Sequence, residues 1–116
     1  VKTSSAKSKG RRLCASFAEV VRKITGLEPD DVRVTPSGVT GPDLMLSPLA
    51  KKRFPFEVEA KNQESLNIWA AIKQAEEHAK VGGGIPMVVF ARNRTAPYVA
   101  VPMSELHRIF NVPKNL

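Results

Sequence analysis

One cysteine, one tryptophan and one tyrosine are all that 116 residues carry of those three types. Cys14 has no second thiol to pair with, so an intramolecular disulfide is impossible, and a free thiol fits a reducing compartment. A cysteine-based zinc site is also excluded, because His78 and His107 are distant from Cys14 and from each other. Cys14 falls among apolar positions of a helical pattern and is read as core packing. No apolar run approaches the roughly 18 residues of a membrane helix. The opening residues, Val1 to Gly10, are polar and basic and lack the apolar stretch of a secretory signal. A cytoplasmic protein with no membrane partner is expected. No serine in a glycine elbow accompanies either histidine, which sets aside a Ser/His/Asp hydrolase. Gly82-Gly83-Gly84 follows a helical pattern and precedes a strand, the reverse of a phosphate-binding loop, and is read as a flexible break.

Acidic residues are also in short supply. Eleven Asp and Glu stand against 18 Lys and Arg, a net charge of +7, which calls for a polyanionic partner. The cations come in three groups: Lys2, Lys7, Lys9, Arg11 and Arg12; Lys51, Lys52 and Arg53; Arg92 and Arg94. Each is expected to contact nucleic-acid phosphate. Hydrophobic residues make up 42% of the chain, enough for one modest core. Residues 1–10 read as a basic flexible arm and residues 11–116 as a single domain.

Periodicity gives an α/β order. Leu13, Phe17, Val20 and Ile24 recur at helical spacing over 11–25, with Gly26 as the stop. Short strands follow at Val32–Val34 and Asp43–Leu46, separated by a turn-rich segment, Thr35 to Gly41. Residues 47–53 read as a basic loop. Phe54 to Lys61 alternates cleanly, with Phe56, Val58 and Ala60 on one face and Glu57, Glu59 and Lys61 on the other. A second helix, capped by Ser65, carries Ile68, Ile72, Ala75 and Ala79 inward. Trp69 flanks that stripe and is read as core. Ile85 to Ala91 is a doubly buried central strand, followed by a strand at 98–101 and a helix at 103–110 with Leu106, Ile109 and Phe110 packed inward. The order is helix, three-strand meander, helix, two strands and a C-terminal helix, on a mixed sheet covered by helices.

Chemistry gathers where the acids are. In an antiparallel meander Asp43 pairs opposite Glu59, and Leu46 then faces Phe56. Glu59 and Lys61 lie roughly 6.6 Å apart along one face, with a cross-strand neighbour at about 5 Å. Asp43, Glu59 and Lys61 can therefore converge on one ion and one water. Phosphodiester hydrolysis asks for this set. A hard cation such as Mg²⁺, replaceable by Mn²⁺, takes carboxylate oxygens and acidifies water. The Ala60 carbonyl completes the ligands, and Lys61 orients or deprotonates the water or stabilises the transition state. Glu57 shares the face one pleat away and is read as ion-paired rather than ligating. His78 is read as packing at a helix edge.

Pro42-Asp43 at the head of one strand and Glu59-Ala60-Lys61 at the end of the next, within that order of elements, resemble the PD-(D/E)XK nuclease superfamily. The resemblance covers about residues 11–101. It is strongest to small Holliday junction resolvases and related phage or archaeal endonucleases. It implies a restriction-endonuclease-like three-layer core and a metal-dependent endonuclease, with branched or duplex DNA as partner. The small size and the chemistry of junction resolution argue for a homodimer, whose two-fold axis would place two sites on opposed strands, and host-cell cytoplasm is expected for a phage-encoded chain. In such resolvases a glutamate of the first helix often adds a metal contact. Glu19 occupies that place, although Lys23 at i,i+4 offers it a surface partner. Gln74 matches a glutamine found after the motif in related nucleases, while His78 stands where a tyrosine sometimes follows. Ser37, in the turn-rich loop, is a DNA contact by the same resemblance or a turn residue. The alternatives are a nuclease of this fold acting on flapped, damaged or ordinary duplex DNA, and a non-catalytic nucleic-acid-binding module.

Overall fold

A computed structural model describes residues 2–110 of the chain, with side chains from residue 6 onward, so the side chain of Lys2 lies outside the described residues. Helix α1 spans Lys2–Thr25. Residues 2–10, expected as a flexible arm, continue this helix. The stretch contains no proline and a single glycine, so a helix nucleated over 11–25 propagates through it. Gly26, at φ 70°, ends the helix, and its N–H donates to the Arg22 carbonyl at 2.8 Å. The buried face is Leu13, Cys14, Ala18 and Val21, whereas Val20 and Ile24 are exposed. The expected stripe is rotated because Gly10, Cys14 and Ala18 form a small-residue face that can approach the sheet closely. A Cβ on Gly10 would lie 3.4 Å from the Ala60 carbonyl oxygen.

A short 3₁₀ turn, Pro29–Asp31, leads into β1 (Val32–Val34), which pairs antiparallel with β2 (Leu44–Leu46). Helix α2 (Pro48–Arg53) replaces the expected basic loop. Ser47 caps it, accepting from the Ala50 N–H at 3.1 Å, and Pro48 supplies a first-turn residue with no N–H to satisfy.

Strand β3 (Phe56–Asn62), helix α3 (Ile68–Gly82) and strand β4 (Ile85–Ala91) follow, and β5 (Tyr98–Ala100) closes the sheet in the order β3-β4-β5. Strands β3 and β4 are parallel and β4 and β5 antiparallel, so the sheet is mixed. Phe56, Val58, Ala60, Ile85, Met87 and Val89 face α1, and Val88 faces Ala71 and Ala75 of α3. The result is the expected three-layer α/β core. Burying one Val side chain such as Val58 or Val89 contributes roughly 1.5–3 kcal/mol.

Four local expectations are corrected. The meander is interrupted: β1 and β2 form their own two-stranded sheet, and Leu46 pairs with Val32 rather than facing Phe56. Asn67, not Ser65, caps α3 by accepting from the Ala70 N–H. Trp69 is 76% exposed. The contact face of α3 is Ala71, Ala75 and Ala79, which draws the helix onto the sheet and leaves the indole outside. The last helix divides into a 3₁₀ turn (Met103–Glu105) and α4 (Leu106–Ile109), and Leu106, Ile109 and Phe110 are exposed. Among the described residues, no helix is long and apolar enough to cross a membrane.

Candidate active site

The parallel strands β3 and β4 end side by side, with Asn62 opposite Ala91. The C-terminal edge of such strands is where open α/β sheets hold ligands. An open cleft of about 420 Å³ lies there, lined by Asp43, Glu59, Ala60, Lys61, Gln74 and the N-terminal half of α1. Asp43, Glu59 and Lys61, predicted to converge, are brought together.

Asp43 is held by three backbone groups and one thiol. Its N–H donates to the Val58 carbonyl at 2.7 Å. Its own carbonyl accepts from the Thr35 N–H at 2.8 Å and from the Cys14 thiol at 3.3 Å. Its Oδ2 accepts from the Ala60 N–H at 2.7 Å. A side chain thus takes the bond that a neighbouring strand would have made, and β2 parts from β3 at this point. The cleft opens in the gap. The Ala60 carbonyl lies on the same edge of β3 as its N–H, and a Cβ on Gly10 would stand in contact with its oxygen, at 3.4 Å.

Glu59 is 1% exposed. His78 Nδ1 bonds to its Oε2, which makes Nδ1–H the donor against a carboxylate. Helix and strand geometry explain the contact. Four helical residues rise about 6.0 Å and two strand residues about 6.6 Å. Helix α3 runs back along β3, so every fourth residue of the helix meets every second residue of the strand. Gln74 lines the cleft with Lys61, His78 sits on Glu59, and Gly82 sits on Glu57.

Burial pushes the Glu59 carboxyl up to about 7, with the Asp43 charge adding to the rise and the His78 bond and Lys61 opposing it. Asp43 is also raised, by burial, against the Ala60 N–H, Lys61 and His78. Burial, then Asp43 and Glu59, pushes the Cys14 thiol up to about 12, which leaves it a hydrogen-bond donor and no nucleophile. Cys14 is core packing, as read.

The donors available to a cation are oxygens: Asp43, Glu59 and the Ala60 carbonyl. Among the described residues no group of three or more His, Cys, Asp or Glu is placed to hold a metal ion, so these residues do not form a closed all-protein cage. They fit Mg²⁺, which takes one or two carboxylates and keeps several waters. Two carboxylates raised by burial, Glu59 also by the charge of Asp43, are groups that a divalent cation would relieve.

Other predicted residues are dispersed. Glu19 is exposed on α1, away from the cleft, and the helix presents Gly10 and Cys14 there instead. Lys7 and Arg11 line the cleft, and Arg11 bonds to Ser37 of the loop that joins β1 to β2. Lys9 donates to Asn93 Oδ1 at 3.0 Å, which sets Arg92 and Arg94 at the same end of the molecule. Arg12 is exposed and does not line the cleft. Lys51, Lys52 and Arg53 lie at the opposite end, where Arg53 donates to the carbonyl of Thr25 at the far terminus of α1. Glu57, expected to be ion-paired, is buried against Gly82 and Gly84 and makes no ion pair among the described residues. The triple glycine, expected as a flexible break, serves capping and close packing. Gly83, at φ 81°, ends α3, and its neighbours leave room for a carboxylate.

Sequence reasoning missed His78 on Glu59. The signal was present in the i,i+4 spacing of Gln74 and His78, which puts both on the face that meets Lys61 and Glu59.

A family model described as "Phage putative PDDEXK endonuclease" matches residues 5–115. No curated protein and no solved structure matches the chain.

Proposed function

The chain belongs to this phage PDDEXK endonuclease family, and from that membership and the geometry of the cleft we propose that it is an Mg²⁺-dependent, structure-selective DNA endonuclease acting on branched DNA as a homodimer, in the cytoplasm of the host cell. The observation that carries the reading is the meeting of Asp43, Glu59 and Lys61 at one cleft rimmed by Lys7 and Arg11.

Asp43 and Glu59, with the Ala60 carbonyl, would hold the cation. When bound, Mg²⁺ acidifies a water and draws charge from a phosphate oxygen. Asp43 keeps its orientation through the Ala60 N–H and needs no rearrangement to act. Lys61 offers its ammonium to the charge that builds on the phosphate. Arg11, tied to Ser37, and Lys7 give the strand its register over the cleft. These are backbone contacts, which position DNA without reading its bases. That favours recognition by shape, and a two-fold dimer would set two such clefts on opposed strands of a symmetric junction.

The test is a cleavage panel of four-way junction, flap, nicked and linear duplex DNA in Mg²⁺ and in Mn²⁺. The parent is expected to cut the junction in preference to the others. Asp43→Asn keeps an oxygen for the Ala60 N–H and is expected to fold and to abolish cutting, as is Glu59→Gln. Equal cutting of linear duplex would overturn the branched-DNA reading. Binding without cutting in either metal would overturn the enzyme, and undiminished cutting by Asp43→Asn would overturn the site.

A further inference from the structure

The two carboxylates of the cleft are aimed by different devices. Asp43 takes its direction from the backbone of β3, through the Ala60 N–H. Among the described residues the Glu59 carboxylate has no such backbone bond. Its side chain is 2% exposed, and among the described residues the partner that its carboxylate meets is His78. A carboxylate has two oxygens and can serve two partners at once. The histidine takes Oε2 and leaves Oε1 for a ligand.

We propose that His78 is a positioning residue: its Nδ1–H holds Oε2 of Glu59 and so presents the other oxygen to the cation. The inference rests on the reading that Asp43 and Glu59 hold a divalent cation. The contact follows from the register of α3 on β3, which also brings Gln74 to Lys61, so the fold and not a chance rotamer sets His78 where it stands. Partners that orient metal ligands in this way matter to affinity by about 10- to 100-fold.

The measurement is Mn²⁺ binding to the DNA-free protein by calorimetry, with thermal melting to verify folding. His78→Ala is expected to weaken Mn²⁺ by at least about tenfold. His78→Leu, which fills the space without an N–H, is expected to match it and serves where the alanine variant does not fold. His78→Asn places an amide N–H near the position of Nδ1 and is expected to recover most of the affinity. The proposal is overturned if His78→Leu or His78→Ala binds as the parent does, or if His78→Asn is as weak as His78→Leu. Asp43→Asn separates the two levels. If it loses Mn²⁺ while His78→Leu keeps it, the positioning role fails and the site stands. If the parent binds no Mn²⁺, or Asp43→Asn binds it unchanged, the site itself fails and the positioning role with it.

Discussion

Glu59 carries a cost that depends on pH. Its folded pKa, about 7, lies above its ordinary 4.5, so the folded state binds this proton more tightly than the unfolded chain does. The stabilisation is complete below pH 4.5 and is lost as pH rises through about 7. The melting temperature of the metal-free protein is therefore expected to fall across this window, by the equivalent of roughly 1–3 kcal/mol, and Glu59→Gln is expected to flatten the profile. Scanning calorimetry between pH 4 and 8 measures both. An unchanged slope in Glu59→Gln would place the dependence elsewhere. At this scale the sequence was partly legible. Asp43, Glu59 and Lys61 could be placed because strand alternation has a period of two. His78 could not, because its role depends on how a helix registers on a strand 19 residues earlier. Glu19 misled because a helix position was assigned by analogy, while the face that meets the sheet was decided by Gly10, Cys14 and Ala18.

Among the elements, the turn from α3 to β4 is the tightest fit. A Cβ on Gly82 would come within 2.7 Å of both Glu57 carboxylate oxygens, and one on Gly84 within 2.5 Å of Oε2. Gly82→Ala is expected to destabilise the protein by about 1–3 kcal/mol, although alanine is the better helix former by about 1 kcal/mol. In a Glu57→Ala background the clash is gone, and the same change is expected to become neutral or stabilising. A double-mutant cycle by urea denaturation gives the coupling. Zero coupling would mean that the carboxylate swings away freely. The element order was readable from periodicity, and β4 emerged as the central strand because its apolar run is continuous. The short elements were not readable. Whether Ser47-Pro48 opens a helix or a loop depends on Ala50 reaching the core, where it is fully buried.

For the whole molecule, charge is divided between two ends. Lys7, Lys9, Arg11, Arg92 and Arg94 gather at the cleft end, while Lys51, Lys52 and Arg53 lie at the other. Runs of cations that read alike in the sequence thus stand in different places on the molecule. Lys7→Ala with Arg11→Ala is expected to lower the slope of log affinity against log salt by nearly 2, at about 0.9 per phosphate contact. Lys51→Ala with Lys52→Ala is expected to leave it nearly unchanged. Fluorescence anisotropy with a labelled four-way junction between 50 and 200 mM salt decides this, and equal losses from the two pairs would refute the polarity.

The bond from the Ala60 N–H to Asp43 Oδ2 also bears on how this site can decay. One residue would both hold the proposed cation and fasten the β1–β2 unit to β3, so a chain drifting out of use cannot shed Asp43 without also loosening its architecture. Among the described residues the Lys61 side chain makes no such bond. Descendants that have lost activity should therefore have lost the lysine first and kept the aspartate as a fossil of the chemistry, so that an intact Pro-Asp in a relative is a sign of ancestry more than of a working enzyme.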